Sequence, residues 1–289
     1  MSQTVGFVGL GIMGRPMAEN LSRAFSVMGF DVKESRLTGL SGVTPARSLE
    51  EVAEQCSVVC LSLPSATVVE EVVLGQGGLH KSLRSGALVI DLSTSLPAVS
   101  RRIAGQLAEQ GIAFVDAPVS GGEEGARSAS LAIMVGASPA SFERCRGYLS
   151  VIGRTVVHVG DVGAGGIAKL VNNMIVGSTF AVIAEGFGLA IRHGVNPSTL
   201  YEAMREGWAG SKVLDVSAKA IAARDYVPGG TIDMLQKDLA YARAVATEVK
   251  SPIPMTATAH ELFVAGQAAG YGAKSQPALV ELFRRWGQT

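Results

Sequence analysis

The chain has 289 residues, a length that favours two domains over one and allows a substantial hydrophobic core. Its 25 lysines and arginines balance its 25 aspartates and glutamates, so the formal net charge is zero. This balance excludes the basic surface with which proteins attract nucleic acids or anionic membranes. We therefore expect neither as a partner, and an anionic ligand must be held by a local site.

The three cysteines, Cys56, Cys60 and Cys145, form neither a C-x-x-C pair nor a metal-ligand spacing, so no metal site is expected. Cys56 immediately precedes the apolar run 57–63, and Cys60 lies within it. We interpret both as buried thiols in a reducing compartment. The first residues lead into a strand-like run without a basic segment followed by an apolar one. We therefore expect a cytoplasmic protein.

The first half of the chain alternates strand-like and helix-like segments. Residues 4–9 are predicted as an apolar strand, followed by a glycine turn and a helix over about 13–23. Further strands are predicted at 25–31, 57–63, 87–91, 113–115, 131–135 and 156–159, and helices at 48–54 and 98–110. The strands are continuous apolar runs, which is typical of a parallel sheet covered by helices on both faces, with the last two as mixed additions.

The character of the sequence changes after Gly160, where a glycine-rich segment, 160–166, is interpreted as a hinge. A long helix follows to about His193, and the remainder is predicted to be helical. The stretch 172–191 is apolar apart from Glu185 and long enough to resemble a membrane span. Its glycines, its two leading asparagines and the glutamate favour a buried helix at a domain or subunit interface instead.

The first predicted strand ends in a G-x-G-x-x-G turn that opens a helix: Gly9, Leu10, Gly11, Ile12, Met13 and Gly14. Gly9 allows a tight turn, Gly11 allows a pyrophosphate to approach the backbone, and Gly14 allows the helix to pack closely. A chance spacing is the alternative, because the chain has 35 glycines. The position at the first strand-to-helix turn favours a dinucleotide-binding site to which this whole turn contributes.

The second predicted strand ends in Asp31, where a carboxylate accepts hydrogen bonds from a ribose 2′-hydroxyl and repels a 2′-phosphate. NAD is therefore the favoured cofactor. Lys33 and Arg36 lie close in sequence, so NADP is not excluded.

The segment 116–122 contains Ser120, Gly121 and Gly122, which offer a hydroxyl and consecutive N–H groups after the turn at Pro118. Such a nest suits a carboxylate, and a flexible surface loop is the alternative.

Lys169, Asn172 and Asn173 have the spacing i, i+3 and i+4 and so share one face of the long helix. A lysine near the start of a buried helix has its pKa lowered both by the helix dipole and by burial. That environment suits a general base, and a surface lysine with a buried stem is the alternative.

Together these motifs resemble the β-hydroxyacid dehydrogenase family, to which 3-hydroxyisobutyrate dehydrogenase, tartronate semialdehyde reductase and threonate dehydrogenase belong. The resemblance covers almost the whole chain. It rests on residues 9–17, 63–64, 91–94 and 116–122, the helix of Lys169, and 237–239.

The resemblance implies that Lys169 is the catalytic acid/base, that Asn173 positions the substrate, and that Ser120, Gly121 and Gly122 hold its carboxylate. It further implies that the nicotinamide half of the cofactor site is lined by Leu63, Pro64, Thr94 and Lys237. The sequence departs from the family at Ala129 and Ser130, where Gly-Thr is usual, which affects the detail of that loop.

We therefore predict an α/β fold with an N-terminal Rossmann-type doubly wound sheet domain at 1–162. An interdomain helix at 163–193 joins it to an all-α C-terminal domain at 194–289 for substrate binding and oligomerisation. The expected reaction is hydride transfer between NAD and the hydroxyl-bearing carbon of a small 3-hydroxy carboxylic acid, such as 3-hydroxyisobutyrate, glycerate or a threonate-like compound, in a homodimer or homotetramer.

Two other functions remain open. An imine reductase of the same fold would lack turnover on hydroxyacids, and those enzymes usually replace the lysine. A non-catalytic module that senses the cofactor would bind NAD without turnover, and the presence of Lys169 and Asn173 disfavours it. No motif assigns a role to Trp208, Ser211 or Lys212, although Lys212 is a candidate contact for a distal group of the substrate.

Overall fold

The computed structural model describes residues 4–227 and 229–285. The chain divides into two compact units, one ending at Lys169 and the other beginning at Leu170. Each unit has its own hydrophobic core. The finer boundaries expected at 162 and 193 stay predictions.

The described part of the first unit contains one sheet of nine strands. These are β1 (Thr4–Val8), β2 (Ser26–Phe30), β3 (Val43–Pro45), β4 (Val58–Leu61), β5 (Leu88–Asp91), β6 (Ala113–Asp116), β7 (Val119–Ser120), β8 (Leu131–Gly136) and β9 (Gly153–Gly160). The first six are parallel in the order β3-β2-β1-β4-β5-β6. This is the doubly wound order of a Rossmann-type domain, as predicted.

The last three strands make the sheet mixed; β8 and β9 were predicted as mixed additions, whereas β7 was not predicted. β8 lies antiparallel to β6 and to β7, whereas β9 pairs with β8 in parallel. Every residue of β4 and β5 is buried, which explains why these strands are continuous apolar runs.

Six helices of the first unit connect these strands: α1 (Gly14–Leu21), α2 (Leu49–Gln55), α3 (Ala66–Leu74), α4 (Pro97–Ala108), α5 (Gly122–Arg127) and α6 (Pro139–Ile152). Local sequence sets several of their starts. The hydroxyls of Ser48, Ser65 and Ser138 cap α2, α3 and α6 by accepting main-chain N–H groups, and proline begins α4 and α6. The sequence did not predict β3, β7, α3, α5 and α6.

All three cysteines are buried and free, which confirms that Cys56 and Cys60 are buried thiols. Burial raises the pKa of Cys60 to about 12 and the pKa of Cys56 to about 11. Both thiols are therefore protonated and inert at neutral pH.

The segment 160–166, interpreted as a hinge, forms a tight turn between a strand and a helix. β9 ends at Gly160, and the long helix α7 (Ala164–Arg192) begins four residues later. A Cβ on Gly165 would lie 2.5 Å from the carbonyl oxygens of both Asp116 and Met134. These glycines are needed because the start of α7 packs directly against the backbone of the sheet.

The described chain beyond α7 is helical, as predicted, apart from an isolated bridge between Thr231 and Ser275. Its longer helices are α8 (Pro197–Met204), α9 (Lys212–Ala223), α10 (Ile232–Glu248), α11 (Pro254–Ala268) and α12 (Val280–Arg285). Phe187, Leu239 and Phe263 are buried in the core of this unit.

The expectation that α7 is buried holds for only part of its surface. Exposed apolar side chains of this helix include Val171, Ile175, Val182 and Leu189. In its most apolar stretch of 18 residues, one third is buried. Among the described residues, α7 is the one helix long and apolar enough to cross a membrane by length and composition. These two properties are weak evidence for a membrane span, because core helices of soluble proteins share them.

Candidate active site

The turn between β1 and α1 has a shape that requires glycine at two positions. Gly9 has a φ of +93°, and a Cβ there would overlap the carbonyl oxygen of Ser62. A Cβ on Gly14 would overlap the carbonyl oxygen of Gly9. Gly11 faces open space apart from the guanidinium of Arg36, so its backbone is accessible to a ligand. This geometry fits the pyrophosphate of a dinucleotide.

Asp31 lies just after β2 and is bonded to the same turn. One carboxylate oxygen accepts the N–H of Leu10 at 2.8 Å, and the other accepts the N–H of Lys33 at 2.9 Å. The guanidinium of Arg36 lies 3.1 Å from Oδ2, and the Arg36 side chain is 42% exposed. Burial acts to raise the pKa of Asp31, but these three donors outweigh it and the pKa lies below its ordinary value. The end of β2 therefore presents an ionised carboxylate beside an accessible cation.

The loops that follow β4 and β5 are linked through a second buried carboxylate. The N–H of Leu63 donates to Ser93 Oγ at 2.9 Å, and the N–H of Ser93 donates to Asp91 Oδ1 at 2.9 Å. Ser95 Oγ donates to the other oxygen of Asp91, and burial raises the pKa of this carboxyl to about 6. The expected cofactor contacts Leu63 and Thr94, both half-buried, thus lie on two loops that are bonded to each other, with the exposed Pro64 beside Leu63.

Ser120, Gly121 and Gly122 form an accessible loop at the edge of the sheet. Ser120 ends β7, and the next two residues have φ values of +137° and +64°, conformations that favour glycine. The helix that follows, α5, is attached to the cofactor helix α1, because the buried amide of Asn20 donates to the carbonyl oxygen of Ala126 at 2.7 Å. The proposed carboxylate site is therefore attached to the helix that follows the glycine turn.

Asp116, four residues before Ser120, holds the start of the lysine helix. It lies opposite Asp91 in the register of β5 and β6 and is 2% exposed. Its Oδ1 accepts the N–H of Gly163 at 2.7 Å, and its Oδ2 accepts the N–H of Gly166 at 2.8 Å. Burial raises its pKa to about 7 against the opposing effect of the two N–H donors. Lys169 follows one turn later in α7 and is half-buried.

In the second unit, Asn173 belongs to a buried polar cluster. Its amide nitrogen donates to Asp238 Oδ2 at 2.7 Å, and its oxygen accepts from Asn172 Nδ2 at 2.9 Å. Lys237 Nζ lies 3.3 Å from Asp238 Oδ1. Two expected site residues, Asn173 and Lys237, are thus joined by Asp238, whose role was not predicted although it stands beside Lys237 in the sequence.

The three residues without an assigned role lie on the surface of the second unit. Trp208 is fully exposed. Ser211 caps α9, because its hydroxyl accepts the N–H of Leu214 at 3.1 Å, and Lys212 is the exposed first residue of that helix. Within residues 4–227 and 229–285, no group of three His, Cys, Asp or Glu side chains could hold a metal ion.

A doubly wound sheet with a glycine turn after its first strand and an acidic residue after its second defines an NAD(P)-binding oxidoreductase domain. Comparison with known families agrees. Residues 4–160 match the NAD-binding domain of 6-phosphogluconate dehydrogenase, and residues 163–283 match the NAD-binding domain of NADP-dependent 3-hydroxyisobutyrate dehydrogenase.

Characterised relatives match over nearly their whole length. The chain is 37% identical to 2-(hydroxymethyl)glutarate dehydrogenase of Eubacterium barkeri, over 97% of this chain and 95% of that protein. It is 36% identical to 2-hydroxy-3-oxopropionate reductase of Escherichia coli, over 96% of both chains. The structure of Mycobacterium tuberculosis 3-hydroxyisobutyrate dehydrogenase with L-serine superposes with a TM-score of 0.88 at 30% identity, covering 98% of this chain and 100% of that one.

The chain belongs to the 3-hydroxyisobutyrate dehydrogenase family of β-hydroxyacid dehydrogenases. It is an NAD(P)-dependent oxidoreductase that acts on small hydroxy acids.

Proposed function

We propose that this enzyme oxidises the hydroxyl group of a small 3-hydroxy carboxylate, or reduces the corresponding carbonyl, with Lys169 as the acid/base and NAD as the favoured cofactor. The observation that carries the proposal is the position of Asp116. This residue leads into the Ser120–Gly122 loop along the chain and also binds the first turn of the helix that carries Lys169. One buried residue thus connects the proposed carboxylate site to the proposed base.

In the oxidative direction, the uncharged amine of Lys169 accepts the proton of the substrate hydroxyl. The carbon that bears this hydroxyl gives up a hydride. The bound nicotinamide supplies the hydride acceptor. In the reductive direction, the ammonium of Lys169 returns the proton to the carbonyl oxygen. We propose, from the family resemblance, that the glycine turn, Leu63, Pro64, Thr94 and Lys237 hold the cofactor in place during transfer.

The substrate class follows from two arguments. The Ser120–Gly122 loop offers a hydroxyl and glycine N–H groups to a carboxylate. The compounds named with the relatives, 2-(hydroxymethyl)glutarate, 2-hydroxy-3-oxopropionate, 3-hydroxyisobutyrate and L-serine, all carry an oxygen on the carbon next to Cα. We therefore expect a carboxylate two bonds away from the reacting carbon. Asn173, whose amide is oriented by Asp238, has a second N–H with which to position the hydroxyl.

Asp31 supports NAD, because its ionised carboxylate suits a ribose hydroxyl. Arg36 supports a measurable turnover with NADP, because its accessible guanidinium lies beside that carboxylate and could pair with a 2′-phosphate. We infer a preference for NAD rather than strict specificity.

A homodimer or homotetramer is supported by the exposed apolar face of α7. Val171, Ile175, Val182 and Leu189 recur at helical spacing along one side of the helix and are exposed in the single chain. A second copy of the chain would bury them. The buried thiols agree with the cytoplasmic location that we propose.

A panel of three- to five-carbon hydroxyacids tests the function most directly. We expect NAD-linked oxidation of at least one 3-hydroxy acid and none of the matching 2-hydroxy acids, measured as NADH formation. Turnover of cyclic imines without turnover of any hydroxyacid would instead identify an imine reductase. Cofactor binding without turnover of either class would identify a sensing module.

A further inference from the structure

Two buried carboxylates lie side by side where β5 and β6 end, and they hold different parts of the site. Asp91 binds the serine loop that supports Leu63, whereas Asp116 binds the start of α7. We propose that Asp116 is a positioning residue for proton transfer, because it fixes the first turn of α7 and thereby the location of Lys169. This inference rests on the proposed role of Lys169 as the acid/base.

The contact is close to the lysine along the helix. The first N–H groups of a helix have no partner within it, and Asp116 uses one oxygen for Gly163 and the other for Gly166. Gly166 precedes Lys169 by three residues, a rise of about 4.5 Å along the helix axis. A shift of the first turn is therefore passed to Lys169 almost undiminished. Misplacement of a catalytic group by about 1 Å lowers the rate by about a hundredfold.

The surroundings of Asp116 leave little freedom for such a shift. A Cβ on Gly136 would lie 2.5 Å from Oδ1, and a Cβ on Gly165 would lie 2.9 Å from Oδ2. The backbone of both neighbouring segments thus closes around the carboxylate. Because interiors are close-packed, both hydrogen bonds are held in one geometry.

A purely structural cap would not need this arrangement. In the same unit, α2, α3 and α6 are capped by the serine that immediately precedes each helix, at little cost in desolvation. Helix α7 is held instead by a carboxylate from a strand 47 residues away, and burying a carboxylate is expensive. The additional cost is explained if the location of α7 relative to the ends of the strands matters for the reaction.

A double-mutant cycle in the full-length enzyme tests the inference. Asp116→Asn replaces two accepting oxygens by one, so the amide accepts only one of the two N–H groups. We expect kcat at saturating cofactor to fall about tenfold to a hundredfold, while the Kd for NAD stays within about twofold. In a Lys169→Ala background, Asp116→Asn should have almost no further effect on kcat, because the group that Asp116 positions is gone.

Asp91→Asn is the matched control, since it alters a buried carboxylate at the paired strand position. We expect its main effect on the KM for NAD, and we expect that effect to be independent of Lys169. If Asp116→Asn does not fold, Asp116→Ser provides a smaller, neutral variant that keeps one accepting oxygen. Folding of each variant is checked by near-UV circular dichroism and NAD binding.

An equal loss of kcat from Asp116→Asn in the presence and absence of Lys169 would overturn the inference, and so would no loss at all. A Lys169→Ala enzyme with the wild-type kcat would instead overturn the proposed function, before the cycle is completed.

Discussion

The amide of Asn20, in the helix that follows the glycine turn, donates a 2.7 Å hydrogen bond to the carbonyl oxygen of Ala126, in the helix that follows the Ser120–Gly122 loop. The bond joins residues 106 positions apart and is buried. The proposed sites for the cofactor and for the substrate carboxylate are therefore connected through a single side chain.

We expect Asn20→Ala to destabilise the protein by about 1–3 kcal/mol, because the Ala126 carbonyl is left buried without its partner. The KM for the hydroxyacid should rise as α5 loses its attachment. Urea denaturation and steady-state kinetics measure the two effects. Ser128→Ala, which removes an exposed hydrogen bond from the end of the same helix, should change stability by less than about 0.5 kcal/mol. Equal effects of the two changes would contradict this role of Asn20.

Cofactor choice is expected to depend on the pair formed by Asp31 and Arg36. Wild-type kcat/KM should be higher with NAD than with NADP. Asp31→Asn keeps an oxygen for the Leu10 N–H but loses the charge. It should therefore weaken NAD binding and reduce the difference in kcat/KM between NAD and NADP. Arg36→Ala should lower the kcat/KM for NADP while changing that for NAD little. A wild-type preference for NADP would refute the assignment of Asp31.

Ala129 has a φ of +52°, a left-handed conformation that costs an L-residue about 1–2 kcal/mol. This finding gives a physical reason for the glycine that the family usually has there. Ala129→Gly should therefore stabilise the protein by about 0.5–1 kcal/mol, measured as an upward shift in the denaturation midpoint. The control Ala104→Gly, within α4, should destabilise it by a similar amount. A loss of stability from Ala129→Gly would contradict the account.

The raised pKa of Asp116 predicts how stability depends on pH. Burial raises this pKa from 3.8 in the unfolded chain to about 7, so the folded state holds a proton that the unfolded state has lost between about pH 4 and 7. The free energy of unfolding should therefore fall as pH rises through this window. Asp116→Asn cannot titrate and should show a shallower fall, with a difference on the order of 3 kcal/mol between about pH 4 and pH 7. Parallel curves for the two proteins would show that Asp116 titrates normally.

The parts of the site that are formed by residues adjacent in sequence could be predicted. The glycine turn has the expected requirements at Gly9 and Gly14, because a β1–turn–α1 unit depends on local backbone geometry. The parallel sheet follows from apolar runs such as β4 and β5, which are buried on both faces. The long helix α7 could be predicted because its sequence is a long, mostly apolar stretch.

The parts that depend on distant contacts could not be predicted. Asp116 and Gly163 meet only because β6 and the end of β9 lie near each other in the folded sheet. For the same reason, the contact between Asn173 and Asp238 could not be predicted, because the two residues are 65 positions apart in sequence. Nor does the local sequence show that Gly165 packs closely against Asp116.

The central claim is that Lys169 moves the proton, and one pair of measurements on Lys169→Ala tests it: kcat with the best hydroxyacid and the Kd for NAD. We expect kcat to fall at least about a hundredfold, the usual contribution of a positioned acid/base, with the Kd for NAD almost unchanged. Lys169→Arg should not restore activity, because a guanidinium keeps its proton in this pH range. Retained turnover together with lost NAD binding would contradict the claim and would make Lys169 a cofactor ligand.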